Sequence, residues 1–207
     1  MFKIAVLAST RGTDLQAIID EIKTGKLKNV EIACVIGNKE DAYALKRAEE
    51  NNIKTYFINP KGKIREEFDE EIAEILKHEQ VDLICLIGYM RILSKEFVAK
   101  YPNKIINVHP ALIPAFCGPK YYGTNVHEEV IKRGVKVTGC TFHFVNEECD
   151  GGPIILQETV KVDVADTPDT LKEKVQTLEK KWYPKLIDLM RKNKIKITPD
   201  NKVQILK

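Results

Sequence analysis

At 207 residues, 43% of them apolar and 30% charged, the chain has room for one sizeable hydrophobic core and does not have the composition of a disordered or membrane protein. A formal net charge of +3 is too small to imply nucleic acid as a partner, no apolar run is long enough to span a bilayer, and the short apolar start lacks the regions of an export signal. In chain order, Phe2 to Ala8 reads as a buried strand, and a turn at Gly12 leads into a helix whose stripe is Leu15, Ile18, Ile19 and Ile22. Val30 to Ile36 is the next strand. A helix carrying Ala42, Leu45 and Ala48 follows, and then a short strand at Lys54 to Phe57. Arg65 to His78 places Phe68, Ile72, Ile75 and Leu76 on one helical face. Leu83 to Ile87 and Ile105 to Val108 are apolar strands separated by a helix near Ser94 to Ala99, and His127 falls on a further helix, facing the surface or a loop.

Val137 to Val145 and Ile154 to Val164 are candidate strands joined by the loop Asn146 to Gly152. A helix from Thr167 to Arg191 carries Leu171, Val175, Leu178, Trp182, Leu186 and Leu189 at three- and four-residue steps, a core stripe with Trp182 in it. The tail beyond it is basic, six Lys or Arg against one acidic residue from Arg191 to Lys207, and reads as a solvated terminus ending in a small edge hairpin through Lys196 and Val203, or else as a polyanion-steering patch. This alternation predicts an α/β fold, a mostly parallel twisted sheet with helices on both faces, in which loops at the carboxyl ends of strands form a ligand crevice. The five cysteines are odd in number and scattered, without metal-site spacing, and fit a reducing cytoplasmic setting with Cys34, Cys85 and Cys140 buried.

Two short stretches carry candidate chemistry. Asn107 and His109 are one residue apart, so at an extended strand end both side chains face one side while Val108 faces the other. Asp150, on the loop 146–152, can return towards His109 to orient or charge it, and the Asn107 amide can donate to a carbonyl oxygen that gains negative charge. A lone histidine before proline is equally a structural hydrogen-bonding residue, and only the trio favours catalysis. The turn Ser9-Thr10-Arg11-Gly12-Thr13-Asp14 between a strand and a helix offers either a plain tight turn or a site for a single phosphate; it lacks both the dinucleotide fingerprint and the nucleotide phosphate loop. His127 and His143 have weaker claims, and the four histidines form no readable metal set. If His109 lies at an exposed crevice, truncation to Ala damages turnover far more than folding.

Together, Asp14-Leu15-Gln16-Ala17-Ile18-Ile19, Gly88-Tyr89-Met90-Arg91-Ile92-Leu93-Ser94, Asn107-Val108-His109-Pro110, the stretch from Val137 to Val145, Asp150-Gly151-Gly152-Pro153 and Val175-Gln176-Thr177-Leu178-Glu179 resemble the phosphoribosylglycinamide formyltransferases in content and order. The resemblance implies a single Rossmann-like formyltransferase domain over residues 1–207, with a long C-terminal helix near 167–191 and a basic tail at 192–207. It implies a cytoplasmic monomer or weak homodimer that uses 10-formyltetrahydrofolate as formyl donor and requires no metal. Its partners are small molecules, with no nucleic acid and no membrane. The expected reaction forms formylglycinamide ribonucleotide and tetrahydrofolate in purine biosynthesis.

Carried over by residue, Asn107, His109 and Asp150 form the catalytic centre. Arg11, Gly12, Thr13 and Asp14 receive the ribonucleotide phosphate, Glu179 lies near its ribose, and Arg65 lies near the glycinamide. Met90, Arg91, Ile92 and Leu93, with Val145, Asn146 and Cys149 of the loop before Asp150, hold the folate. Thr10 stands where the family usually has glycine and Asp14 where asparagine is common. This places an extra negative charge near the phosphate, which Arg11 offsets unless Asp14 turns away to cap its helix. The loop 116–123 is longer than in compact family members and either closes over substrate or stays a static surface loop. The alternatives are a formyltetrahydrofolate deformylase, whose family version adds an N-terminal domain, and a noncatalytic folate or phosphometabolite binding module.

Overall fold

Strand β1 (Phe2–Ala8) follows from its composition: from Ile4 to Ala8 every residue is fully buried, as a strand covered on both faces requires. We describe residues 1–206 in a computed structural model, which divides into two units, one of residues 1–106 and one that begins at Asn107.

In the first unit the chain alternates β1, α1 (Thr13–Lys23), β2 (Val30–Gly37), α2 (Tyr43–Glu50), β3 (Thr55–Phe57), α3 (Arg65–Glu79), β4 (Leu83–Leu86) and α4 (Lys95–Lys100) before entering β5 (Ile105–His109). The strand order is β3-β2-β1-β4-β5, with β1 parallel to both β2 and β4 and β2 parallel to β3. The order reverses between β1 and β4, so the loops leaving these two neighbours open side by side. In open α/β sheets that is where ligands bind.

Gly12 explains the first of these loops. It caps α1 in the left-handed conformation, φ 63°, and a Cβ there would lie 2.8 Å from the Cβ of Ala44 on α2. Only glycine meets both demands. The expected stripes are buried on α1 (Leu15, Ile18, Ile19) and on α3 (Phe68, Ile72, Leu76), while Ile22 and Ile75 are half-buried.

The second unit continues β5 and adds α5 (Asn125–Lys132), β6 (Val137–Phe144), β7 (Ile154–Lys161), α6 (Pro168–Arg191), β8 (Ile195–Ile197) and β9 (Val203–Ile205). Its strand order is β5-β6-β7, with β6 and β7 antiparallel, so the parallel pattern ends in a hairpin whose connection carries Asp150. β7 stops at Lys161, short of the expected Val164, which is fully exposed. The tail forms the small antiparallel hairpin β8–β9. Helix α6 begins at a reciprocal cap: Thr170 N donates to Thr167 Oγ1 at 3.2 Å and Thr167 N to Thr170 Oγ1 at 2.9 Å, with Pro168 pre-set for the first turn.

Two sequence expectations are corrected here. The buried face of α6 is Leu171, Val175, Glu179, Tyr183, Leu186 and Ile187; Trp182 lies beside it, half-buried, with the Lys185 ammonium 4.9 Å from its ring centre. Tyr183, one position further round the helix than Trp182, packs edge-on to Phe142 at 5.4 Å and takes the core position. His127 is 2% exposed and not on the surface; its Nδ1 has no hydrogen-bond partner among the described residues.

Burial, together with Lys172 and His109, pushes the pKa of His127 down to about 4. The unfolded chain therefore binds this proton near pH 6.5, well before the folded one does, and stability falls as pH drops from 6.5 towards 4. Between pH 7.5 and 5 this histidine alone is expected to cost about 2 kcal/mol. Denaturant titrations should show the wild type losing that much more stability than His127→Gln over the same interval; parallel losses would mean that His127 is not buried neutral. Among the described residues no helix is long and apolar enough to cross a membrane.

Candidate active site

The end of β5 and the β6–β7 connection bring four polar side chains together within the second unit. His109 is 4% exposed, its Nε2 lies 2.7 Å from the Phe116 carbonyl oxygen, and its Nδ1 lies 3.5 Å from Asp150 Oδ2. A carbonyl only accepts, so Nε2 carries a proton.

His143 is the member of this cluster given too little weight by its sequence context. Its Nδ1 donates to the Phe144 carbonyl at 2.8 Å, which leaves Nε2 as the acceptor of a neutral ring, and the Asn107 amide nitrogen lies 3.2 Å from that atom. Burial lowers the pKa of His143 and so favours this neutral form. The tautomer fixes the Asn107 amide: one N–H is held by His143 and the second is left to meet a substrate oxygen. Asp150 Oδ1 stands 3.7 Å from His143 Nε2, so one carboxylate lies near both rings without a hydrogen bond to the second. A polar residue between Phe142 and Phe144 in a strand buried from Thr138 to Phe144 was the available signal, because a buried histidine must have partners.

Asp150 is held as closely as the residues it serves. It adopts φ 57° in its turn, its side chain is 10% exposed, and its Oδ2 accepts a hydrogen bond from Gly118 N at 2.9 Å. The loop 116–123 is thereby fastened at two points, through the Phe116 carbonyl on His109 and the Gly118 amide on Asp150. Because His109 is buried, truncation to Ala would leave both a hole and an orphaned Phe116 carbonyl. The expectation that His109 lies at an exposed crevice is therefore corrected, and His109→Ala is expected to cost stability as well as turnover.

Val145 and Asn146 are half-buried and Cys149 is exposed in the turn before Asp150. Glu179 is 6% exposed on the packing face of α6, one turn from Val175 and one from Tyr183. In the first unit, Arg11 is exposed and Gly12 buried at the head of α1; Thr13 is half-buried, and Asp14 is turned inward at 4% exposure in the first helical turn. Arg65 is exposed at the start of α3. Met90 and Ile92 are exposed while Leu93 is buried, and the Arg91 guanidinium lies 4.2 Å from the ring centre of Phe68. Exposed apolar side chains on a segment without regular structure suit a flat heteroaromatic ring. Among the described residues no group of three or more His, Cys, Asp or Glu is placed to hold a metal ion, and all five cysteines are free thiols.

An α/β sheet whose second unit carries an amide and two imidazoles on β5 and β6 and a carboxylate on the loop after β6 has the parts of an acyl-transfer site, and the model of the Formyl transferase family matches residues 2–187. Phosphoribosylglycinamide formyltransferase of Haemophilus influenzae is 39% identical over 95% of this chain and 91% of its own length. The crystal structure of glycinamide ribonucleotide transformylase 1 from Symbiobacterium toebii superposes with a TM-score of 0.93 at 38% identity, covering 100% of this chain and 95% of that one. The trifunctional purine biosynthetic protein adenosine-3 of Gallus gallus is 42% identical over 97% of this chain, which spans only 20% of that protein's length. The chain belongs to the phosphoribosylglycinamide formyltransferase family.

Proposed function

We propose that this protein transfers the formyl group of 10-formyltetrahydrofolate to the amine of glycinamide ribonucleotide, as a step of purine biosynthesis, through Asn107, His109 and Asp150. The observation that carries the assignment of these residues is the convergence of Asn107, His109, His143 and Asp150 within the second unit. The glycinamide nitrogen forms a bond to the formyl carbon and the bond from that carbon to N10 of the folate breaks. One proton leaves the amine and one arrives at N10, so the reaction needs a group that can accept and return a proton.

Asn107 presents the N–H left free by His143 to the formyl oxygen while that oxygen carries charge. His109 presents its Nε2 proton, the formyl oxygen replacing the Phe116 carbonyl as acceptor. Asp150 orients the imidazole through Nδ1, stabilises the charge that develops on the ring as the proton moves, and relays the proton through water. The enzyme contributes position and charge stabilisation and forms no covalent bond to the formyl group.

Arg11, Gly12, Thr13 and Asp14 are assigned to the ribonucleotide phosphate, for which the open N-terminus of α1 and the exposed Arg11 are suited. Arg65 is assigned to the glycinamide and Glu179 to the ribose. Met90, Arg91, Ile92 and Leu93 hold the pterin, and Val145, Asn146 and Cys149 are assigned to the folate. The free thiols support a cytoplasmic setting, and the protein is read as one formyltransferase domain acting as a monomer or weak homodimer.

The test is a paired assay with 10-formyltetrahydrofolate, with and without glycinamide ribonucleotide, following both products. Formylated ribonucleotide and tetrahydrofolate should appear in equal amounts and only when the ribonucleotide is present. Tetrahydrofolate and formate released equally without it would make the protein a deformylase, and binding without turnover would make it a binding module.

A further inference from the structure

The loops after β1 and β4 leave adjacent strands at the point where the strand order reverses, and the structure shows how they are tied. The β1–β4 register runs from Ile4 opposite Leu83 to Leu7 opposite Leu86; Ile87 N then donates to Leu7 O at 3.0 Å and Ser9 N to Gly88 O at 3.1 Å. Gly88 turns away with φ 58° and takes Tyr89 and Met90 out of the ladder. The Met90 N–H, past the end of its main-chain acceptors, donates instead to Ser9 Oγ at 2.8 Å. Ser9 is 3% exposed, so water is poorly placed to substitute for its hydroxyl.

Both sides of this link are anchored. The 9–12 turn is held from α2: Ala44 N donates to Thr10 O at 3.2 Å, and Arg47 Nε donates to Arg11 O at 2.8 Å while its Nη1 reaches Gln16 Oε1 at 3.0 Å. The far end of the 90–93 segment is held from α3, where Asp69, 2% exposed, accepts from Ser94 N at 2.6 Å. Thr10, in the place where the family usually has glycine, turns its hydroxyl onto Gly88 O at 3.4 Å and adds to the same junction. A segment fixed at both ends by buried side chains cannot shift at one end without straining the other.

We infer that the Ser9 hydroxyl is a positioning residue that couples the ribonucleotide turn, residues 10–14, to the folate segment, residues 90–93, so that a ligand that shifts one turn shifts the other with it and raises affinity there. This rests on the assignment of the two turns made above. Such coupling is reciprocal, the ribonucleotide tightening folate binding by the same factor as folate tightens the ribonucleotide.

The test is calorimetric titration of the whole protein with tetrahydrofolate, which cannot donate a formyl group, in the absence and presence of saturating glycinamide ribonucleotide. The wild type is expected to bind tetrahydrofolate about fivefold more tightly with the ribonucleotide bound, a typical coupling. Ser9→Ala should reduce this ratio below about twofold and raise KM for 10-formyltetrahydrofolate more than it lowers kcat. Ser9→Thr, which keeps the hydroxyl, should restore the ratio. A wild-type ratio of one, an unchanged ratio in Ser9→Ala, or equal loss of coupling in Ser9→Thr overturns the coupling while leaving the two subsites assigned. Failure of the wild type to bind either ligand overturns the subsite assignment along with it.

Discussion

Replacing His109 with Gln is expected to lower kcat by about 10² to 10⁴, the range over which a positioned acid-base group acts, with little change in either KM. Gln is the informative replacement because His109 is 4% exposed and its Nε2 satisfies the Phe116 carbonyl, which a glutamine amide can still reach. Alanine would remove the donor, open a cavity and strand that carbonyl, mixing a folding defect with the chemical one. Gln places its amide at the level of Nε2, so the variant's melting temperature should stay within a few degrees of wild type, roughly the 1 kcal/mol scale of one altered hydrogen bond. Steady-state kinetics and thermal melting on one preparation check the result. Activity lost only in proportion to folded protein would remove His109 from the chemistry and leave it as a packing residue.

Asp150→Asn should slow transfer by about 10² to 10⁴ as well, with the Kd for tetrahydrofolate within about threefold of wild type. Asparagine is nearly isosteric and is among the few residues that accept the left-handed backbone, φ 57°, found at this position. Its side-chain oxygen can still take the Gly118 N–H bond. The negative charge beside His109 Nδ1 and His143 Nε2 is lost. The variant thus keeps the turn and removes the carboxylate charge facing the two rings, and single-turnover rates with both substrates bound isolate that effect. Unchanged turnover would leave Asp150 a turn residue and transfer the proton relay to another group. Loss of folate binding as large as the loss of rate would mean that its role is to shape the turn 145–150.

Much of this site was readable from residue spacing. Asn107 and His109, two apart on an extended strand end, do face the same polar cluster, and a connection rich in acid and glycine between two strands does return Asp150 to it. Apolar periodicity likewise places β1, α1, α3 and β6, because burial on one stripe or on both faces leaves a regular trace. What had no trace was partnership at long range. His143 looked like an odd residue in an aromatic strand because its meaning lies 36 residues away, on Asn107. Ser9 and Asp69 are unremarkable in sequence, yet each satisfies a main-chain N–H distant along the chain, on Met90 and Ser94.

Trp182 and His127 show the same limit from the other direction. A long amphipathic helix tells which stripe is apolar, but the supports of a given tryptophan depend on its neighbours in space, and here the lysines flanking it in sequence leave it at the margin of the packed face. His127 sits one residue before two glutamates and reads as exposed, although the helix turns it inward beside Val126 and Val130.

By itself the sequence determined the alternation of strands and helices, the family, and the identity of three of the four polar groups at the β5 end, since these depend on local period and on short motifs. Only the tertiary structure decided which nitrogen of each histidine carries the proton, that His109 is buried rather than open, and that Ser9 joins the loops after β1 and β4. Those properties belong to pairs of atoms, and the distance between them is set by how β1 packs beside β4 and how the β6–β7 connection folds back.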